Sequence, residues 1–146
     1  EFKIDSVHTY SSKELFIKAN ELIVQQLELI KNDLKNISNK EDSRISIEKR
    51  EENIYTLNIY GNDDTIGNIL QNDISRNMID DDSDIIVCGY KKVHPLENII
   101  MFNLSLKQND KTNEQNVIKL IEVFTESSNN LIDIYNTIIS EAKKNL

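Results

Sequence analysis

Residues 87–97 read Val87-Cys88-Gly89-Tyr90-Lys91-Lys92-Val93-His94-Pro95-Leu96-Glu97, and they hold the chain's only proline and one of its three glycines. Pro95 fixes its own φ and steers His94 into an extended conformation. Gly89 brings conformational permissiveness to the end of the apolar run Ile85–Cys88. The stretch predicts strand, tight connection, strand. About twenty residues upstream, Asp64-Thr65-Ile66-Gly67-Asn68-Ile69-Leu70 opens a short helix, with Asp64 or Thr65 as its N-cap and Ile66, Ile69, Leu70, Ile74 and Met78 on its apolar side. Gly67 in the first turn weakens a helix, so a close backbone contact is expected there.

Outward from this centre the periodicity stays clear. Upstream, Tyr55, Leu57 and Ile59 alternate with Thr56, Asn58 and Tyr60, the pattern of a strand, and Gly61-Asn62-Asp63-Asp64 makes the turn into the helix. Asp63 and Asp64 suit a helix N-terminus, where the dipole favours negative charge. Downstream, Ile100, Phe102, Leu104 and Leu106 share one face of a strand from Asn98 to Leu106. A long helix follows, carrying Val117, Ile121, Phe124, Ser128, Leu131, Tyr135, Ile138 and Ala142 in steps of four and three. Such a seam is the kind that packs on another helix. Running about 45 Å, it exceeds what a small sheet needs for cover and invites a partner.

The N-terminal part repeats that plan. Phe2 and Ile4 alternate with polar neighbours as a short strand would, a polar link follows, and Ser11-Ser12-Lys13-Glu14 forms a capping box. Phe16, Ala19, Ile23, Leu27, Ile30, Leu34 and Ile37 then make one helical stripe, about 39 Å long. Residues 38–52 are polar apart from Ile45 and Ile47 and read as a solvated linker. The expected division is 1–37, strand and long helix; 38–52, linker; 53–146, main domain. The fold class is α+β, an antiparallel sheet backed by long amphipathic helices. The chain does not begin with Met, and a piece of something longer is expected.

Composition narrows the function by exclusion. A net charge of −8 with scattered Lys and Arg argues against a surface that neutralises phosphates, so no direct nucleic-acid contact is expected. No apolar run nears the roughly 20 residues of a membrane span, and no signal peptide is read at Glu1. A single cysteine excludes an intrachain disulfide, and Cys88 in an apolar run reads as a buried, inert thiol. His8, Cys88 and His94 are too few and too dispersed for a closed zinc site. Counted from Asp80, the acidic run Asp80-Asp81-Asp82-Ser83-Asp84 puts Ile85 and Lys91 where a calcium loop needs Gly and a bidentate acid, so it reads as a solvated loop. Gly61 and Gly67 lack the following Lys-Ser/Thr of a phosphate loop. His94 reads as a turn histidine donating one hydrogen bond. No catalytic residue, cofactor or metal ligand is nominated.

The strings Asp64–Leu70 and Gly89–Glu97 resemble the two signatures of the small α-like subunit of multisubunit RNA polymerases, roughly HTLGNLL and GYxxPHPLE. That family includes archaeal subunit L and, more distantly, bacterial α. Asp64 stands where the family usually has His, Val93 where it often has Pro, and the loop before the second motif is several residues longer. The resemblance covers about residues 53–145. It implies a dimerization domain whose helices pack on those of the larger α-like subunit, making a heterodimer on which the two large catalytic subunits assemble. The implied dimer interface is Phe16, Ile23, Leu27, Ile30, Leu34, Ile66, Leu70, Val117, Ile121, Phe124, Leu131, Tyr135 and Ile138. Docking to a large subunit falls to Asp64, Thr65, Gly67 and Asn68, with Gly89, Tyr90, His94, Pro95, Leu96 and Glu97. Small zinc-binding polymerase subunits are further partners the resemblance implies.

Residues 1–37, by Phe2, Ile4, Glu14 and Ala19, resemble the end of the larger α-like subunit, so a fusion of both in one chain is expected, with an N-terminal helical extension as the rival. Fusion and an Asn/Ile/Lys-rich composition suit a large cytoplasmic DNA virus, placing the chain in host cytoplasm or virion; an unfused cellular origin places it in the nucleus. The alternative function is a small α+β regulatory or ligand-binding module unrelated to transcription, which predicts a folded monomer or homodimer with a pocket.

Overall fold

The computed structural model describes residues 3–4 and 10–145. In chain order the elements are α1 (Ser12–Ser38), β1 (Ile45–Glu51), β2 (Ile54–Tyr60), α2 (Asp64–Asn77), β3 (Ile85–Lys92), β4 (Ile99–Leu106) and α3 (Asn113–Asn145). The four strands make one antiparallel sheet in the order β1-β2-β4-β3. The α+β class expected from the periodicities is the observed one.

Alternation decides which face of the sheet is covered. Tyr55, Leu57 and Ile59 of β2 lie beside Leu104, Phe102 and Ile100 of β4, and all six are buried beneath the helices. Phe102 meets Phe124 of α3 edge-on, ring centroids 5.0 Å apart. Tyr55 is fully buried, and its hydroxyl reaches the first turn of α3, donating to Asn113 Oδ1 at 2.9 Å and accepting from Asn116 Nδ2 at 3.3 Å. The opposite face is mixed, with Ile54, Tyr60 and Val87 exposed among polar side chains. There Arg50 Nε donates to Thr56 Oγ1 at 3.1 Å, and Arg50 also pairs with Glu48 at 2.9 Å.

The expected linker 38–52 is corrected: its second half is β1, which pairs with β2 from Ile45 opposite Ile59 to Glu51 opposite Ile54. Only Ile45 and Ile47 of this strand face the core, because it is the sheet's edge. Charged Glu48, Lys49, Arg50 and Glu51 guard such an edge against further pairing. Asn53, at φ 61°, makes the turn into β2 in the left-handed region that Asn tolerates. A second correction concerns β3, which runs on to Lys92. Gly89 thus lies inside the strand, opposite Asn103, and not at its end. Phe2 of the expected first strand lies outside the described residues, and Lys3 and Ile4 belong to no regular element.

Helix ends follow local chemistry. The capping box of α1 is present, with Ser11 Oγ accepting from Glu14 N at 3.2 Å and Ser11 N donating to Glu14 Oε2 at 2.8 Å. A second reciprocal pair opens α3, where Thr112 Oγ1 accepts from Gln115 N and Thr112 N donates to Gln115 Oε1. The N-cap of α2 is Asp63, one residue before Asp64 and two before Thr65, the two expected caps, and its carboxylate accepts from Thr65 N at 3.1 Å.

Candidate interaction site

The long seam lies between α1 and α3, and it runs antiparallel. At one end Lys143 of α3 pairs with Glu21 of α1 at 3.3 Å, and Lys13 Nζ donates to Lys143 O at 3.2 Å. At the other, Glu28, Lys31, Lys35 and Ser38 of α1 border a groove with Ile121 and Thr125 of α3. Leu27, Ile30, Leu34, Phe124, Ile66 and Leu70 are fully buried inside this one chain. Ile121 and Leu131 are buried as well, while Phe16, Ile23, Val117, Tyr135 and Ile138 are half-buried along the seam. The expected interface residues therefore meet one another within a single polypeptide.

The C-terminal end of α1 is clamped to the sheet. Asp33, buried near the end of α1, accepts from Arg44 Nε at 2.9 Å and Arg44 Nη2 at 2.7 Å, and Ser43 Oγ donates to Asp33 O at 2.9 Å. A buried acid also joins α2 to α3, where Asp73 accepts from Ser127 Oγ at 2.6 Å and from Asn77 Nδ2 at 2.8 Å. The Asp33 contacts fasten the end of α1 to the segment that opens β1.

The two signature strings converge at the other end of the sheet. Gly61, at φ 85°, turns the chain out of β2, and its N–H donates to Asn98 O at 2.6 Å, which ties the first motif's turn to the loop of the second. Gly67 lies under the Tyr90 ring: a Cβ there would sit 2.5 Å from Tyr90 Cε2. The close approach expected at Gly67 is thus made by an aromatic ring and not by backbone. Tyr90 Oη donates to Asp64 Oδ1 at 2.9 Å, so Asp64, Gly67 and Tyr90 form one interlock. That bond, together with desolvation as the larger cause, raises the Tyr90 phenol above its ordinary value of 10.0.

Beyond Tyr90 the connection projects into solvent. His94, Pro95, Leu96 and Glu97 are all exposed, Leu96 at 89%. His94 Nδ1 accepts from Leu96 N at 3.1 Å, so the expected donor is an acceptor. Asp64, Thr65 and Asn68 are exposed on the neighbouring turn, whereas Gly67 is buried and Gly89 half-covered.

The remaining candidates are chemically quiet. Cys88 is buried, and desolvation pushes its thiol up to about 12. The acidic loop is held from the link before α3: Lys111 pairs with Asp84 at 3.1 Å and Lys107 Nζ donates to the Asp81 carbonyl. It is therefore more than solvated. Among the described residues no cluster of three His, Cys, Asp or Glu is placed to hold a metal, and no helix is long and apolar enough to cross a membrane. The hollows are open grooves at element seams, such as the one of 220 Å³ between Met78, Ser83 and Lys119.

One apolar surface escaped the sequence reading. Leu15, Leu22 and Leu29 stand on α1 at 39%, 57% and 50% exposure, one above another. Their spacing of seven was the available signal, hidden beside the stronger Phe16–Ile37 stripe.

A domain that leaves apolar side chains exposed on its helices, on the outer face of its sheet and on a turn has the surface of a protein-association module. The comparison with known families makes this specific. Residues 55–141 match the model of the RNA polymerase Rpb3/Rpb11 dimerisation domain, and the chain belongs to that family. The match leaves α1 and β1 outside its bounds. None of the curated proteins compared matches the chain. The family places the chain in RNA polymerase assembly, and a dimerisation domain implies pairing with another α-like polymerase subunit.

Proposed function

We propose that this chain is a non-catalytic subunit of a DNA-directed RNA polymerase and supplies the small half of an α-like heterodimer, the platform on which the two large catalytic subunits assemble. We further propose that α1 is the closing helix of the larger α-like subunit, fused to the small one. The observation that carries the fusion reading is the antiparallel seam of α1 on α3, two helices opened by the same kind of capping box and joined along their lengths in one chain. Work here is done by burial and by rigid display. The Asp64–Gly67–Tyr90 interlock and the Gly61–Asn98 bond hold the His94–Glu97 knob at a fixed angle to α2. A large subunit is the surface that such a knob addresses, Leu96 entering an apolar recess. Host cytoplasm or virion is the setting that fusion favours.

Affinity purification of the tagged chain from its native source, followed by mass spectrometry, tests the assignment. Both large polymerase subunits should appear in near-equal amount with the chain. Their absence at native salt removes the transcription reading. Leu96→Asp should reduce recovery of a large subunit while leaving recovery of the α-like partner unchanged.

A further inference from the structure

A glycine inside a β-strand weakens it, so its presence there needs a reason. Gly89 has none within the fold. Gly61 is the only glycine at positive φ, and the irregularity of β3 falls earlier, between Ile85 and Val87. A Cβ added to Gly89 would meet no atom of the described residues within 4 Å, whereas at Gly67 it would strike the Tyr90 ring. Cys88 and Tyr90 on either side turn towards the core, so the open space above Gly89 is on the outer face of the sheet, away from the helices. Register shows what surrounds it. Val87 and Ile54 share one row across the sheet, Gly89 and Asn103 the next, and Lys91, Met101 and Asn58 the third. The middle row is a furrow with apolar side chains on both banks and the exposed Asn103 amide beside Gly89.

Asn58 is a second, independent observation on the same face. It is 7% exposed, its Nδ2 donates to Ser46 Oγ at 3.5 Å, and its Oδ1 has no hydrogen-bond partner among the described residues. A covered acceptor without a donor destabilises a fold, and a donor brought from outside removes that loss. Met101 lies opposite Asn58 in the register, and its flexible side chain can turn aside to admit one. Charge is the third observation. No carboxylate of the described residues pairs with Lys91 or its neighbour Lys92, in a chain whose net charge is −8. We infer that the outer face of the sheet binds an acidic peptide segment in extended conformation. Its backbone crosses over Gly89 and meets the amides of Asn103 and Asn58, its apolar side chains rest on Ile54, Val87 and Met101, and a carboxylate faces Lys91. An extended segment offers free backbone donors and acceptors and presents its side chains alternately, as this surface requires. A helix satisfies its own backbone, so it would serve neither amide, and its width does not enter a gap one residue wide. The surface is separate from the His94–Glu97 knob and from the leucines of α1, and the inference stands apart from the polymerase assignment.

Nuclear magnetic resonance titration of the isotope-labelled full chain with the peptide acetyl-Ser-Val-Asp-Val-Asp-Val-Ser-amide tests this. Below about 1 mM peptide, the backbone amides of Gly89 and Lys91 and the side-chain amides of Asn103 and Asn58 should shift together. A twin peptide with Lys in place of Asp should bind at least about tenfold more weakly, and Lys91→Glu should reverse that preference. Gly89→Val separates binding from folding. The space above Gly89 is open and a β-branched side chain suits a strand, so the urea midpoint of the variant should hold or rise. Its peptide affinity should nonetheless fall at least about tenfold, because the furrow is filled. No shift by about 1 mM, shifts confined to the helices or to the free edges of β1 and β3, or equal binding of the two peptides overturns the inference. So does a Gly89→Val chain that binds as wild type does, or one that unfolds at lower urea, since the glycine would then serve the fold itself.

Discussion

Replacing Gly67 by alanine sets two effects against each other at a single Cα. An alanine inside a helix is favoured over glycine by about 0.5–1 kcal/mol. Against this, the new Cβ would lie 2.5 and 2.6 Å from two carbons of the Tyr90 ring. Overpacking of that kind costs about 1–3 kcal/mol, and displacing the ring also breaks the Tyr90–Asp64 hydrogen bond. Gly67→Ala should therefore lower stability by about 1–2 kcal/mol in urea unfolding. In a Tyr90→Ala background the same change should become stabilising, and that reversal of sign is the decisive measurement. Cys88 provides a test by pH. Its thiol is raised by desolvation from 9.0 to about 12, so the protonated form favours the fold fully below pH 9.0, and this contribution is lost as pH climbs towards 12. Thiol labelling of the native protein near pH 8 should be slower than in urea-unfolded chain by at least about a hundredfold. At this scale the sequence revealed that Gly67 needed space and that Cys88 would be inert. It could not name Tyr90 as the occupant, because the two are brought together by the packing of α2 on β3 rather than by local spacing.

Among the elements, α1 shows how a legible helix can have an illegible attachment. Its stripe and its capping box were readable from three- and four-residue steps and from Ser11 with Glu14. Its anchor was not, since Asp33 and Arg44 look like ordinary surface charges until β1 brings Arg44 back over the helix. β1 was missed for a related reason: an edge strand with charged residues along most of its length carries little hydrophobic pattern, and only Ile45 and Ile47 betray it. The pair is asymmetric, with Asp33 mostly covered and Arg44 partly in water. Removing the arginine leaves a covered carboxylate with less charge compensation, so Arg44→Ala should cost about 1–3 kcal/mol. Hydrogen exchange should locate the loss in the last turns of α1 and the first residues of β1. A uniform loss of protection across the sheet would assign Arg44 a different role.

For the whole molecule the question is whether α1 and the sheet domain unfold as one unit. The seam between α1 and α3 runs most of the length of α1, with one end tied by Lys143–Glu21, while Asp33–Arg44 ties α1 to the start of β1. The sequence made both stripes visible, and with fusion their meeting in one polypeptide is expected; their antiparallel sense and the strand β1 that follows α1 were concealed by the pattern. Leu131 is buried in α3, and Ile138 is half-covered beside Phe16. Leu131→Asp with Ile138→Asp would place two carboxylates in that apolar contact, at a cost of more than about 3 kcal/mol. Phe124 and Leu120 remain on the sheet, so α3 keeps its inner contacts while α1 loses its main support. The wild-type chain should unfold in urea in one transition, with circular dichroism and tyrosine fluorescence coincident. In the double variant, helix signal equivalent to α1 should disappear before the sheet core melts, separating the two curves. Coincident curves in the variant, merely shifted to lower urea, would mean that α1 is held by the Asp33–Arg44 clamp and the sheet rather than by α3, and the seam would then not be the contact that joins the two halves of this fold.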